Sequence, residues 1–495
     1  MLDFQQEIHV QSLSRTFQDA LSITLRLGFS YIWIDSLCIV QDLPEDWLYE
    51  SSRMGEVYKH SSCNIAATGF ANGEHGLFVE RSPQEITWPR VSVEWAGAWW
   101  DDEPRMGQFY LVDYDLWDNE VSDAPLNKRG WVLQERLLSP CVLHFGARQI
   151  FWECFEAYNC ELHPTGLPRG ISKPHNFKSI RFYRDRLSEY GELDTRKEIH
   201  HGSFSTKPQS KRQNIYDSWH EIVSTYSAGT LTRSTDKLVA ISGAAKEVRQ
   251  ILGDRYLAGL WEHNIMRDLL WFLQHRNDGE NVGLPFPIRA PSWSWASIDA
   301  EVMYLSGTDK ETIHTSLVQA HVDIATKDDT GMVRGGYLRL RGPLTKASPV
   351  DGEWSAVANT WCINNLKVHL EVDFDMPPIW RAQEGPALRL QQAHDGVFSM
   401  SIGSRFVKQL LARQDFYVLP ILNDEDPYTK SLYDYGLLLS PTGAANGEYI
   451  RIGRFEAQDE ESQEALFKTG ERLPRTCYER CDNSMTPLQY TIKIL

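Results

Sequence analysis

The chain lacks any apolar run approaching the roughly 20 residues that a membrane-spanning helix needs, so no membrane span is expected. It is also short of positive charge. Lys and Arg number 50 against 67 Asp and Glu, a formal net charge of −17. A chain this acidic has no general attraction for phosphate backbones, which argues against nucleic-acid binding. The opening Met1-Leu2-Asp3-Phe4-Gln5-Gln6-Glu7 has neither a positive n-region nor an apolar h-region, so no secretory signal is expected. Cysteine is sparse, 8 in 495 residues with no secreted-type framework, which points to reduced thiols and a cytoplasmic location. Walker loops, GxGxxG, HExxH and nucleophile-elbow motifs are missing too. What is present is an ordinary globular composition, 42% hydrophobic, with 17 Trp to fill packed surfaces. The length implies two or three domains.

Residues 16–28 predict a first helix, with Thr16 as cap, Asp19 in the first turn and Gly28 as the left-handed stop. Phe17, Ala20, Leu21, Thr24 and Leu25 would make its buried face. Phe29 to Ile34 reads as a short strand of a parallel sheet covered on both faces. That strand would deliver Asp35 to a loop, and strand-end loops are where open α/β sheets bind ligands. Pro44 then opens a helix reaching Tyr58, with Trp47, Glu50, Met54, Val57 and Tyr58 on one face. Glu50 is the lone acid of that face. Cys63 to Thr68 reads as another strand, and Cys141–Phe145 with Gln149–Cys154 as a hairpin around Gly146.

Residues 164–214 turn rich in Pro, Gly, Ser and charge, as an exposed insertion does. Helical patterns follow over 215–225, 237–252 and 257–273. From about residue 330 the period changes to two, most clearly over Leu366–Phe374, and again at Leu338, Leu340, Tyr490, Ile492 and Ile494. The expected architecture is α/β: a flavodoxin-like parallel-sheet unit over 1–160, an exposed insertion or linker over 161–214, a helical section over 215–300, and a β-rich module over 301–495.

Each candidate site residue has a bland reading beside its sharp one. Asp35 suits a ribose or a catalytic water, and equally suits capping the next turn. Glu50 suits a catalytic acid, and equally an i,i+3 pair with Arg53. Arg129, Glu135 and Arg136 around Trp131 suit an anionic ligand, and equally a buried Arg–Glu lock. Cys154, Cys160 and His163 suggest zinc, but a fourth ligand at suitable spacing is missing, so no metal site is expected. Cys38 reads as an inert core thiol, His200 and His201 as solvated, and Trp293 and Trp295 as anchors of a structural junction.

Several ordered motifs resemble the fungal heterokaryon-incompatibility (HET) domain. They are Phe17-Gln18-Asp19-Ala20 to Leu27-Gly28, Trp33-Ile34-Asp35-Ser36-Leu37-Cys38-Ile39, Ser51-Ser52-Arg53-Met54 with Val57-Tyr58, and Arg129-Gly130-Trp131 with Gln134-Glu135-Arg136-Leu137-Leu138-Ser139-Pro140. Asp236–Gly243, Ala258–Trp261 and Ala290–Ser297 resemble the extension that usually follows. The resemblance implies a cytoplasmic protein of allorecognition and regulated cell death, working through a protein partner or self-association. It also implies distant similarity to the Toll/interleukin-1 receptor (TIR) fold, some relatives of which cleave NAD with one glutamate; here that would be Glu50 with Asp35, and Trp33, Arg53, Arg129, Trp131, Glu135 and Arg136 would line the nucleotide site. An accessory protein or recruited enzyme of a fungal biosynthetic pathway stays open as an alternative. The family usually begins with a strand carrying Tyr-x-x-Leu-Ser-Tyr-x-Trp-Gly, and nothing ahead of Thr16 matches it, so the expected domain lacks its first strand.

Overall fold

The computed structural model describes residues 7–80, 87–95, 105–168, 171, 211–274, 289–305, 311–354, 358–363, 366–374, 391–392, 398–399, 416–425, 430–458, 460–468, 472–482 and 484–495. His200, His201 and most of the expected 164–214 insertion lie outside the described residues. The chain divides into two compact units, Met1–Leu193 and Asp194–Leu495.

The first unit is mixed α/β. Helices α1 (Arg15–Arg26), α2 (Asp35–Cys38), α3 (Pro44–Ser51) and α4 (Met54–Lys59) precede strand β1 (Asn64–Ala66). A hairpin of β2 (Arg90–Trp95) and β3 (Arg105–Tyr110) follows, then α5 (Gly130–Leu138), β4 (Cys141–Phe145), β5 (Ile150–Cys154) and β6 (Tyr158–Cys160). The sheet runs β1-β4-β5-β6, with β1 parallel to β4 and the other pairs antiparallel.

Alternation along these strands sends side chains to two covered faces. On one, Ile65, Leu143, Phe145 and Ile150 pack with Ala20 and Ile23 of α1 and with Leu77. On the other, Phe151 and Cys160 pack with Leu116, Trp117, Val121 and Ile171. Asp19 does not serve the helix start. It is buried, accepts the Leu77 N–H at 2.9 Å and pairs with Arg15, pinning the loop that carries Gly76 to α1. Gly28 does end the helix in the left-handed region, at φ +83°. Leu25, expected inside, is exposed.

Two expectations fail here. Phe29–Ile34 is not a strand: Ile34 is extended, yet the segment joins no ladder and Tyr31 is 93% exposed. A short apolar run becomes a strand only when a neighbour accepts its backbone hydrogen bonds, and β1 is the edge of the sheet on this side. The helix expected from Pro44 to Tyr58 is broken at Ser52 and Arg53, so Glu50 and Tyr58 sit on separate helices and share no face.

The second unit is built around β-structure. Strands Thr345–Trp354, Ala358–Ile363, Leu366–Phe374, Glu448–Ala457, Leu432–Pro441 and Phe416–Glu425 pair in that order, and the last returns to the first. The six therefore close into an antiparallel barrel, which leaves no free edge. Ala347, Ile363, Phe416, Val418, Leu438, Ile452 and Phe455 form its core with Ala465 and Leu466 of the helix Glu460–Phe467. Beside it Leu338 and Leu340 pair with Ile494 and Ile492, all buried, as their period of two implies.

Ahead of the barrel, helices span Lys211–Ser227 and Ser242–Leu252. The helix expected over 257–273 is instead short strands around a single turn, Ile265–Asp268. Gly259 at φ +106° breaks the pattern, and its missing Cβ leaves room for the Trp295 ring. The carbonyl of Gly259 accepts both Trp219 Nε1 and Trp295 Nε1 at 3.0 Å, and Ser294 Oγ donates to Ala258 O. Trp293 and Trp295 are fully buried anchors.

Candidate functional site

The site begins on α5. Trp131 and Glu135 are four residues apart and so share one side of the helix, while Arg136, a hundred degrees around, faces elsewhere. Glu135 accepts a hydrogen bond from the Tyr58 hydroxyl of α4 and feels the charges of Asp35 and Arg129. The Trp33 ring meets Tyr58 edge-on at 5.7 Å, and the Trp47 ring meets Trp131 edge-on at 6.4 Å. Four segments distant in sequence thus supply one cluster: the loop before α2, then α3, α4 and α5.

Its electrostatics are unusual for a carboxylate. Desolvation lifts Glu135 from the ordinary range to about 7, the Asp35 carboxylate pushes the same way, and the Tyr58 hydroxyl and Arg129 oppose them. Burial, followed by the charge of Glu135, holds the Tyr58 phenol well above its usual value. The cluster is nevertheless reachable. Trp33, Trp47, Tyr58, Trp131 and Glu135 are half-buried, and Asp35 and Arg129 are exposed. A carboxyl that changes charge near neutrality within reach of solvent can accept or release a proton, and flanking rings can hold a planar or cationic group.

The other candidate residues are placed differently. Asp35 opens α2 and its carboxylate accepts the Ser36 N–H at 2.7 Å, so its turn-capping reading is realised while it also faces Glu135. Glu50 pairs with Arg53 at 3.9 Å, and Arg53 in turn donates to the Tyr49 hydroxyl at 3.0 Å and stacks on that ring. Arg136 is buried and donates to Glu153 of β5 at 2.6 Å. Glu153 also meets His144 Nε2 at 3.0 Å, and His144 Nδ1 meets Thr68 at 2.9 Å. This is the Arg–Glu lock anticipated for the segment, but its acid comes from β5 rather than from Glu135.

Two members of the cluster were not singled out from sequence. Tyr58 and Trp47 read as core, and only the break at Ser52 and Arg53 turns them toward α5. The signal available was the pairing of a hydroxyl-bearing ring with an acid in the closing motif, which spacing alone cannot reveal. The zinc reading gains no geometry. Cys154 and Cys160 point to opposite faces of the sheet, His163 Nε2 accepts from Trp88 Nε1 at 2.7 Å, and no group of three or more His, Cys, Asp or Glu among the described residues could hold a metal. A shallow recess beside β5 and β6, lined by Ile150, Trp152, Asn159 and Pro164, takes in none of the cluster. Among the described residues no helix is long and apolar enough to cross a membrane.

Residues 2–135 match the family model described as heterokaryon incompatibility protein (HET). This segment is similar to a HET domain, and the match covers less than half of the chain. Its match ends on Glu135, so the carboxyl at the centre of the cluster is its last matched residue. No curated protein and no solved structure matches the chain. The first unit brings Asp35, Trp33, Arg129, Trp131 and Glu135 together with Tyr58 and Trp47, and sets Glu50, Arg53 and Arg136 in ion pairs of their own.

Proposed function

We propose that this protein is an effector or sensor of heterokaryon incompatibility whose HET domain drives regulated cell death through a protein partner or self-association. The observation that carries the reading is the HET match over residues 2–135, with the Asp35–Tyr58–Glu135–Arg129 cluster assembled from its separated motifs. The test is inducible expression of the full chain in a fungal host. Wild type lowers viability; Trp131→Ala and Glu135→Gln, expressed to the same level, do not. Equal viability with wild type and with empty vector overturns the effector reading.

A second reading, an NAD-hydrolysing activity, is favoured by the near-neutral Glu135 carboxyl set among aromatic rings. Water would bond to the ribose C1′ as the bond to nicotinamide breaks and would pass its proton to the Glu135 carboxylate, which faces the positive charge that develops, with the Trp33 or Trp131 ring stacking on the base. In this reading the acid is Glu135 rather than Glu50, which is paired with Arg53. Purified protein incubated with NAD then releases nicotinamide, Glu135→Gln abolishes the release and Glu50→Gln retains it. No release above a protein-free control removes this reading and leaves the first untouched.

A further inference from the structure

The same sheet carries a feature that the HET reading does not use. In the ladder between β4 and β5, Cys141 stands directly opposite Cys154. Cys154 sends its N–H to Ala157 O at 3.0 Å, on the β6 side of the sheet. A strand residue directs its N–H and C=O to the same side, so Cys141 and Cys154 form a non-hydrogen-bonded pair. Such pairs bring the Cα atoms to about 4.5 Å, with both side chains on one face. Disulfides span Cα separations of about 4.4–6.8 Å, so the pairing lies within disulfide range once the Cys141 thiol, which donates to Ser62 O at 3.3 Å, gives up that bond. Both residues are half-buried thiols outside any disulfide, within reach of a small oxidant.

The surroundings specify the pair further. Cys141 and Cys154 share the face that carries Leu143, Phe145 and Ile150, at the end of the sheet away from the Gly146 turn. Cys63 immediately precedes Asn64, the partner of Val142, and so flanks Cys141 on its other side. Its thiol donates to the Asn64 carbonyl, and it lies ahead of β1 rather than within the ladder. Three thiols in a row across adjacent strands make no metal cage, in keeping with the lack of a metal-holding group among the described residues.

We propose that Cys141 and Cys154 are a redox-sensitive modification site, closing to a cross-strand disulfide on exposure to a peroxide and reopening with a dithiol. One thiolate attacks a peroxide oxygen, the O–O bond breaks, and a sulfenic acid and water result. The second sulfur then displaces hydroxide from the sulfenic sulfur, and its proton leaves with that oxygen as a second water. Two thiols lose two electrons in total, and the peroxide takes them up. The bond staples the open end of the β4–β5 hairpin. That end adjoins Glu153, which holds Arg136 of α5, and Pro140, which joins α5 to β4. Oxidation thereby ties down the helix that bears Glu135.

Peptide mapping of the full-length protein after hydrogen peroxide treatment tests this. Trypsin separates the two thiols into peptides Leu137–Arg148 and Gln149–Arg169. The expected product joins them through Cys141 and Cys154, with a loss of two hydrogens in mass, and dithiothreitol restores alkylation of both. Cys154→Ser abolishes the joined product, and Cys160→Ser and Cys63→Ser leave it intact. A Cys141–Cys63 or Cys154–Cys160 link in its place overturns the proposal. So does full alkylation of both thiols after peroxide. Gln149–Arg169 also carries Cys160, so fragmentation of the joined wild-type peptides assigns the linked sulfur to Cys154 or, overturning the proposal, to Cys160, and decides even if a serine variant fails to fold.

Discussion

Two polar clusters, one in each unit, hold a group whose charge changes near pH 7, and they differ in what surrounds it. In the second unit Lys237 is fully buried; desolvation and then Arg289 pull it down to about 7 against the opposing pull of Asp299. Its ammonium donates to Ile298 O and Asp299. Arg289 beside it donates to Ala296 O, Ile298 O, Ser234 O at 3.1 Å and both oxygens of Asp299. Backbone carbonyls absorb most of these donors, so the network clamps the Ser-Trp segment. Glu135 in the HET domain is lifted to the same value, but its neighbours Asp35 and Arg129 stand in solvent and rings flank it. A shifted pKa therefore marks a candidate site only where the partners stay reachable; otherwise it reports a structural clamp.

The strongest way to break this comparison is Arg289→Ala. It leaves Asp299 with Lys237 alone and takes a donor from Ala296 O, Ile298 O and Ser234 O, so chemical denaturation of the second unit should show a loss of about 3 kcal/mol. Wild-type stability would contradict the clamp.

Next come the pH slopes, which are opposite in sign. Glu135 has a folded value raised above its unfolded one, so it favours the folded state below about pH 4.5, and that contribution is lost as pH climbs to about 7. Lys237 has a folded value below its unfolded one, so the unfolded state binds more protons between about 7 and 10.5, and stability rises with pH there. Glu135→Gln should accordingly stabilise the HET domain at pH 8 by roughly 1–3 kcal/mol relative to its effect at pH 4.5, as read from paired denaturant titrations. Lys237→Met should flatten the slope of the second unit between pH 7 and 10 and leave the HET slope alone.

Tyr58→Phe removes the hydroxyl that opposes the lift on Glu135, so the Glu135 titration followed by carbon NMR moves to higher pH. The stability cost is about 1 kcal/mol. The smallest effect belongs to Glu50→Gln, which breaks an exposed pair with Arg53 and should stay within about 0.5 kcal/mol of wild type. A larger loss than that of Tyr58→Phe would restore Glu50 as a rival to Glu135.

Much of this was legible before any coordinates. The β4–β5 hairpin around Gly146, the strand after Cys63, the helix opened by Pro44 and the strands at 338–340, 366–374 and 490–494 all follow from local period and turn chemistry. The site was legible as a set of residues but not as an arrangement. Arg129, Glu135 and Arg136 were read as one group around Trp131, yet Glu135 and Arg136, as neighbours on a helix, point about 100° apart. Glu50 looked like the inward acid because one continuous helix was assumed, and a break two residues later undid the shared face.

Sequence alone determined most of the helical and extended segments, which positions are apolar, and which motifs carry the HET match, because those depend on neighbours a few residues away. Tertiary structure alone decided that Phe29–Ile34 has no ladder to join, that Tyr58 reaches Glu135, that the barrel closes, and that Cys141 faces Cys154. Each of these is a pairing between distant segments, and both desolvation and hydrogen bonding are properties of what such pairings exclude from water.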